Sequence, residues 1–263
     1  MKAWKRIHIT KKRAVCGVLG LLLLAAAYMG VPRAAEKVFA VAEGERRLPI
    51  YCVQTDKPQV SVSFDAAWGA DDTDELLRIL KENDVKATFF LCGYWVEKYP
   101  EEVKKIAAEG HDLGNHSATH PHMSRISSEE IAQELQKCHE NVKKLTGVEM
   151  ELFRPPFGEY DNHVIETAEQ NGYYTIQWDV DSLDWKEQGA EVEIRQVLEH
   201  KHLGNGSIIL FHNDAKYTPK VLDTILKGIK EKGFEIVPIS QLIHRENFEM
   251  DHEGRQIPKG KDV

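Results

Sequence analysis

The run Val60-Ser61-Val62-Ser63-Phe64-Asp65 decides the fold. Its first five residues read as a strand, and they deliver one carboxylate, Asp65, at the carboxyl end. An amphipathic stretch from Thr73 to Lys81 follows, and the alternation then repeats down the chain. Strand-like runs lie at Ala87 to Leu91, His111 to Asn115, Glu151 to Arg154, Tyr173 to Trp178, Ser207 to Phe211 and Phe234 to Pro238. Between them Glu101 to Glu109, Ile131 to Leu145, Val164 to Gln170 and Pro219 to Lys232 read as helices. Ser127 followed by Glu130 is a capping-box pattern, in which hydroxyl and carboxylate satisfy free N–H groups at a helix start. Gly110, Gly147, Gly172 and Gly233 each follow a helical stretch, where a residue without Cβ closes the last turn.

Seven strands alternating with helices predict an α/β fold with a parallel sheet. No glycine-rich phosphate loop follows the first strand, so the expectation is a distorted (β/α) barrel of about seven strands rather than a doubly wound sheet. That domain is placed at residues 58–245, with a spacer at 32–57 and a polar tail at 246–263.

The chain has 263 residues, 42% hydrophobic and 29% charged, the balance of a folded domain. Its start departs from that average. From Ala14 to Val31 no residue is charged, and the preceding head, residues 1–13, carries six Lys and Arg and no acid. Such a run is just long enough to span a bilayer, and the positive head keeps to the cytoplasmic side. The expectation is a transmembrane helix at 14–31 with the domain outside the cell membrane. A cleaved signal peptide, giving a secreted protein, is the alternative; Ala40-Val41-Ala42 has cleavage-site spacing but lies far from the apolar core. The chain after the head is strongly acidic, which argues against a nucleic-acid partner. Three cysteines beyond the apolar run, Cys52, Cys92 and Cys138, are an odd number without metal-type spacing, and no disulfide framework follows from them.

The reactive residues fall in one kind of place. Asp65 follows the first strand, His116 and His120 the third, Arg154 ends the fourth, Asp181 and Asp184 follow the fifth, and His212 follows the sixth. Carboxyl ends of parallel barrel strands share one face, and that face holds the active site. Singly the pieces are weaker. Two imidazoles four residues apart on a helical turn share a side and can grip one metal ion, but such pairs are more often solvated or structural. Arg154-Pro155-Pro156-Phe157-Gly158 reads equally as a rigid turn, and Asp184 as a helix cap. The remaining histidines, His111 and His122 among them, are taken as ordinary.

Taken together, Ser63-Phe64-Asp65, His116-Ser117-Ala118-Thr119-His120, Arg154-Pro155-Pro156-Phe157-Gly158, Asp181-Ser182-Leu183-Asp184-Trp185 and Leu210-Phe211-His212 resemble the five ordered motifs of the polysaccharide deacetylases. This is the NodB-homology family, also called carbohydrate esterase family four. Phe64-Asp65-Ala66-Ala67-Trp68-Gly69 is similar to its sporulation branch. The resemblance implies a divalent metal, Zn2+ first, on His116 and His120. It makes Asp65 the base that activates water, held by Arg154, and His212 the acid that protonates the departing amine, supported by Asp184. A backbone N–H near Phe157 would stabilise the oxyanion, and Trp185 and Leu210 would accept the acetyl methyl. The implied partner is an N-acetylated glycan polymer of the envelope, peptidoglycan in preference.

One position departs from that pattern. The family's first motif has two adjacent aspartates, and here the second is Ala66. A methyl cannot bind a metal, so the third donor has to be water, Asp65 itself, or a loop carboxylate such as Asp71 or Asp72. Two alternatives to N-deacetylation therefore stay open: a barrel that binds glycan without turning it over, and an O-acetyl esterase.

Overall fold

A computed structural model describes residues 46–259. The basic head, the apolar run at 14–31, residues 32–45 of the spacer and residues 260–263 of the tail lie outside the described residues. Among the described residues no helix is long and apolar enough to cross a membrane.

The strands in chain order are β1 (Cys52–Val53), β2 (Gln59–Ala66), β3 (Thr88–Leu91), β4 (Asp112–Asn115), β5 (Leu152–Phe153), β6 (Tyr174–Thr175), β7 (Val180–Asp181), β8 (Ile208–His212), β9 (Glu235–Ile236), β10 (Phe248–Met250) and β11 (Arg255–Pro258). The main sheet runs β6-β5-β4-β3-β2-β8-β7, with every pairing parallel, and β9 pairs with the start of β2. The result is a curled half-barrel of seven parallel strands. Each expected strand run is present, in most cases shortened, and β7 is an addition to them.

Strand β2 is buried on both sides, and its residues divide the work. Val60, Val62 and Phe64 pack into the larger apolar cluster beneath the helices, where Phe64 stacks on Phe89 at 4.9 Å and Phe211 at 5.7 Å. Burial of one such aromatic side chain stabilises the fold by roughly 2–3 kcal/mol. Ser61 and Ser63 alternate with them and cannot be left unpaired; their hydroxyls donate to Val237 O at 2.7 Å and Ile209 O at 2.8 Å. A second apolar cluster, including Phe90, Ile176 and Ile208, fills the other side of the sheet.

Helices α1 (Thr73–Glu82), α2 (Gly93–Lys98), α3 (Pro100–Ala108), α4 (Ser128–Thr146), α5 (Asn162–Gln170), α6 (Ala190–Leu198), α7 (Thr218–Glu231) and α8 (Ile239–Leu242) connect the strands. The Ser127 and Glu130 capping box opens α4, and Gly147 closes it at φ 75°.

Two segments expected to be irregular are built into the fold. Ile50, in the spacer, exchanges backbone bonds with the edge at β6, and Val53 N–H reaches Gly206 O at 2.9 Å just before β8. Gly206 sits at φ 84°, and a Cβ there would run into the Val53 carbonyl, so this crossing requires glycine. The stretch from Glu246, expected as a polar tail, supplies β10 and β11, and β11 pairs parallel with β1. Gln256 is the reason a polar segment can be internal: fully buried, it bonds both the N–H and the C=O of His244.

Candidate active site

Strand register gathers the reactive groups. Asp65 lies opposite His212 across the β2–β8 pair and opposite Phe90 across β2–β3. Asn115 ends β4 opposite Phe153 of β5, so His116 and Arg154 emerge side by side. A cleft of about 510 Å³ opens over these ends, with Asp65, His116, His120, Asp184 and His212 in its wall.

Two charged pairs face each other in it. The first is Asp65 with Arg154, which donates Nη1–H to Oδ1 at 2.7 Å. Arg154 is fully buried, lies over the Phe90 ring at 4.1 Å, and sends Nη2 to Gln177 O at 3.2 Å. Burial by itself would raise the Asp65 carboxyl, but the Arg154 guanidinium, with His116 and His212, holds it below the usual carboxylate range. Asp65 is therefore an anion at neutral pH. The second pair is His212 with Asp184. Nδ1–H donates to Oδ1 at 2.7 Å and the His212 backbone N–H to Oδ2 at 2.6 Å. Burial opposes a charge on His212, yet the hydrogen bond and field of Asp184 outweigh it and raise the imidazole above its ordinary value. With Nδ1 committed to Asp184, Nε2 is the nitrogen left for the cleft.

His116 and His120 are brought together, though not by a helical turn as their spacing had predicted. They lie on a loop in which Ser117 has φ 65° and His120 φ 58°. Local bonds hold these left-handed residues: Ser117 N–H to Asn115 Oδ1 at 2.9 Å and His120 N–H to Ser117 Oγ at 3.0 Å. The ring centroids end 4.9 Å apart. His116 donates Nδ1–H to the Arg154 carbonyl at 2.7 Å, which leaves the Nε2 lone pair toward Asp65 Oδ2 at 3.6 Å. Burial keeps both rings neutral; that of His120 is pushed down to about 4, with His116 adding to the effect.

Two neutral imidazoles are good metal donors, but the set stops there. Asp65 Oδ1 is taken by Arg154, and Ala66 is fully buried in the apolar cluster. Among the described residues no group of three His, Cys, Asp or Glu side chains is placed to hold a metal ion. Asp71 and Asp72, weighed as replacements, are not in the cleft wall. These residues do not complete a site of the three-donor kind that zinc hydrolases use.

The rim is aromatic. Trp68, Phe157 and Trp185 line the cleft while 55–57% exposed, an arrangement suited to the apolar faces of sugar rings. Leu210 is buried in the floor. Phe157 has φ 59° and stacks on His122 at 4.4 Å, so His122 supports the site although its sequence context is ordinary. Among the described residues, five of the seven non-glycine positive-φ positions, Ser117, His120, Phe157, Leu183 and Glu187, are in or beside these loops. Strain of this kind concentrates at functional sites. Trp68 was missed in the sequence; an exposed aromatic three residues past the strand-end carboxylate was the available signal.

Comparison with known proteins agrees with the geometry. Residues 53–176 match the family model described as polysaccharide deacetylase. The chain is 37% identical over 195 residues to the uncharacterized protein YlxY of Bacillus subtilis, a match covering 74% of this chain and 60% of that one. It is 34% identical over 191 residues to a peptidoglycan-N-acetylglucosamine deacetylase of Bacillus cereus, covering 71% of this chain and 69% of that one. Among solved structures, a wild-type pseudoenzyme of carbohydrate esterase family four from Bacillus anthracis superposes with a TM-score of 0.71 at 32% identity, over 81% of this chain and 73% of that one. A mutant of that pseudoenzyme described as having restored enzymatic activity matches with the same TM-score of 0.71 at 37% identity, over 74% of this chain and 70% of that one. The chain belongs to the polysaccharide deacetylase family, carbohydrate esterase family four.

Proposed function

We propose that the protein binds N-acetylated glycan strands of peptidoglycan in this cleft and that Ala66 withholds hydrolysis of the N-acetyl amide. The carrying observation is the donor set: two imidazoles and a methyl where a hydrolase of this family has two imidazoles and a carboxylate. An unactivated amide needs its carbonyl polarised as well as a base for water and an acid for the amine. The chain keeps the base and the acid; the donors that would fix an electrophile are incomplete. Glycan binding needs none of that chemistry. It draws on the exposed Trp68, Phe157 and Trp185, and on Asp65 and His212 as an acceptor and a donor for an acetamido group. The Bacillus relatives named as peptidoglycan deacetylases favour peptidoglycan as the polymer.

A second reading, metal-dependent peptidoglycan N-deacetylase, is favoured by one observation: both charged pairs are intact. Burying Asp65 with Arg154 costs stability that mere binding does not require. In that reading Asp65, oriented by Arg154, takes a proton from water, and His212, charged by virtue of Asp184, delivers one to the leaving amine. Release of acetate from N-acetylated and O-acetylated peptidoglycan, measured beside sedimentation with the same glycan, separates the readings. Binding without acetate is the expected result; acetate from the N-acetylated polymer establishes the second reading, and neither binding nor release refutes both.

The apolar run at 14–31 behind its basic head places the domain outside the cytoplasmic membrane in this proposal. Protease added to intact protoplasts should digest the domain, and protection would contradict that orientation.

A further inference from the structure

Behind His212 the structure continues in a direction that its pairing with Asp184 does not explain. Asp184 Oδ2, besides accepting the His212 N–H, lies 3.2 Å from the Thr218 hydroxyl. That hydroxyl lies 2.8 Å from Oε1 of Glu193. All three are buried, at 2%, 0% and 4% exposure. Thr218 opens helix α7, Glu193 sits in α6, and Asp184 belongs to the turn after β7, so three separate elements converge to make the chain.

One hydroxyl proton cannot serve two carboxylates. Asp184 is met by donors at both oxygens, including the His212 Nδ1–H and the Trp185 N–H at Oδ1, so its oxygens act as acceptors throughout. Full satisfaction then requires Thr218 to donate to Asp184 and to accept from a protonated Glu193. When Glu193 is ionised, the hydroxyl turns to it, Asp184 loses a donor, and a second negative charge stands behind the pair.

We propose that Glu193 is a positioning residue for His212, acting through Thr218 and Asp184, so that the protonation state of this one buried carboxyl sets how firmly the cleft imidazole holds its own proton. Burial brings Glu193 up to about 7, partly offset by the Thr218 bond and reinforced by Asp184, so the switch lies in the working range. Helix α6, which carries Glu193, packs on α7 and β7, and the Thr218 hydroxyl links Glu193 to the Asp184 turn. Among the described residues, Asp184 is the charged group that acts on it. Around His212, Asp184, Asp65 and Asp181 all favour the charged ring. The direction follows: ionised Glu193 strengthens the His212 imidazolium, and neutral Glu193 weakens it.

This inference rests on His212 being the proton donor of the cleft, but its test needs no turnover. The test is an NMR titration of His212 in the full-length protein. Glu193→Gln, which donates permanently to Thr218, should lower the proton affinity of His212 by about three- to tenfold. In a Thr218→Val background the same change should have a clearly smaller effect, the through-space charge alone remaining, whereas Thr218→Ser should keep the wild-type curve. A residue that only ties α6 to α7 would change stability and leave the His212 midpoint in place; a folded Glu193→Gln protein with the wild-type midpoint overturns the proposal. Should Glu193→Gln not fold, Thr218→Ser and Thr218→Val decide. Retention of the midpoint by Ser with displacement by Val supports the relay, and a midpoint indifferent to both overturns it. Absence of acetate release from the wild type would bear on the hydrolase reading alone.

Discussion

Replacing Arg154 by Met removes the only cation bonded to Asp65 among the described residues while keeping most of the buried stem. Arg154 is completely buried and the Asp65 side chain is 7% exposed, so the orphaned carboxylate gains little from water. Breaking a buried pair from one side costs about 3–5 kcal/mol. Loss of the guanidinium over Phe90 at 4.1 Å adds about 1 kcal/mol. The total, about 4–6 kcal/mol, is a large part of the stability of a domain of this size. Urea unfolding at pH 7 measures it. The sign with pH is informative. Without Arg154, burial dominates and lifts the Asp65 carboxyl above its unfolded value, so the penalty is greatest at neutral pH and shrinks as acidification neutralises the group. Asp65→Asn combined with Arg154→Met should recover at least about 2 kcal/mol relative to additivity. A loss below about 1 kcal/mol for Arg154→Met at pH 7, or strict additivity in the cycle, would refute the claim that Asp65 is an anion held by Arg154.

His111 gives a second pH effect. Its Nδ1 accepts the Ala87 N–H at 3.1 Å, and burial, with Lys86, pushes it down to about 4. The stability it contributes is complete above pH 6.5 and is lost as pH falls toward 4, by up to about 3 kcal/mol; His111→Gln, an acceptor that does not titrate, should flatten that slope in acid-unfolding curves. Trp68→Ala should leave folding unchanged, since the ring is 56% exposed, and should weaken glycan binding by about tenfold in a sedimentation assay. Equal weakening of folding and binding would mean that Trp68 is structural.

The sheet was legible because its strands are apolar and β-branched enough to stand out individually, as Val60 to Phe64 do, and because each catalytic-type residue follows such a run. What escaped has physical reasons. Val180–Asp181 is too short to carry a period. Ser117 and His120 adopt left-handed conformations stabilised by Asn115 and Ser117 side chains, which no residue spacing reveals, so a helical turn was the natural but mistaken geometry. Arg255-Gln256-Ile257-Pro258 looks like a tail because its buried member is a glutamine, whose two bonds to His244 become visible only in the fold. Glu193 and Thr218, 25 residues apart, have no motif in common and meet only because α6 packs on α7. Ala66 was legible at once as a missing donor, and the fold adds that no neighbouring carboxylate takes its place among the described residues.

The central claim is that two histidines without a third donor leave a glycan-binding cleft short of a working metal hydrolase. It is tested most directly by measuring acetate release from N-acetylated peptidoglycan by the wild type and by Ala66→Asp, each titrated with Zn2+ and each assayed for bound metal. The expected result is glycan binding by both, no acetate above buffer from the wild type, and on Ala66→Asp a rise in metal affinity of about tenfold or more with acetate release. Wild-type protein that releases acetate in proportion to added Zn2+ would contradict the account.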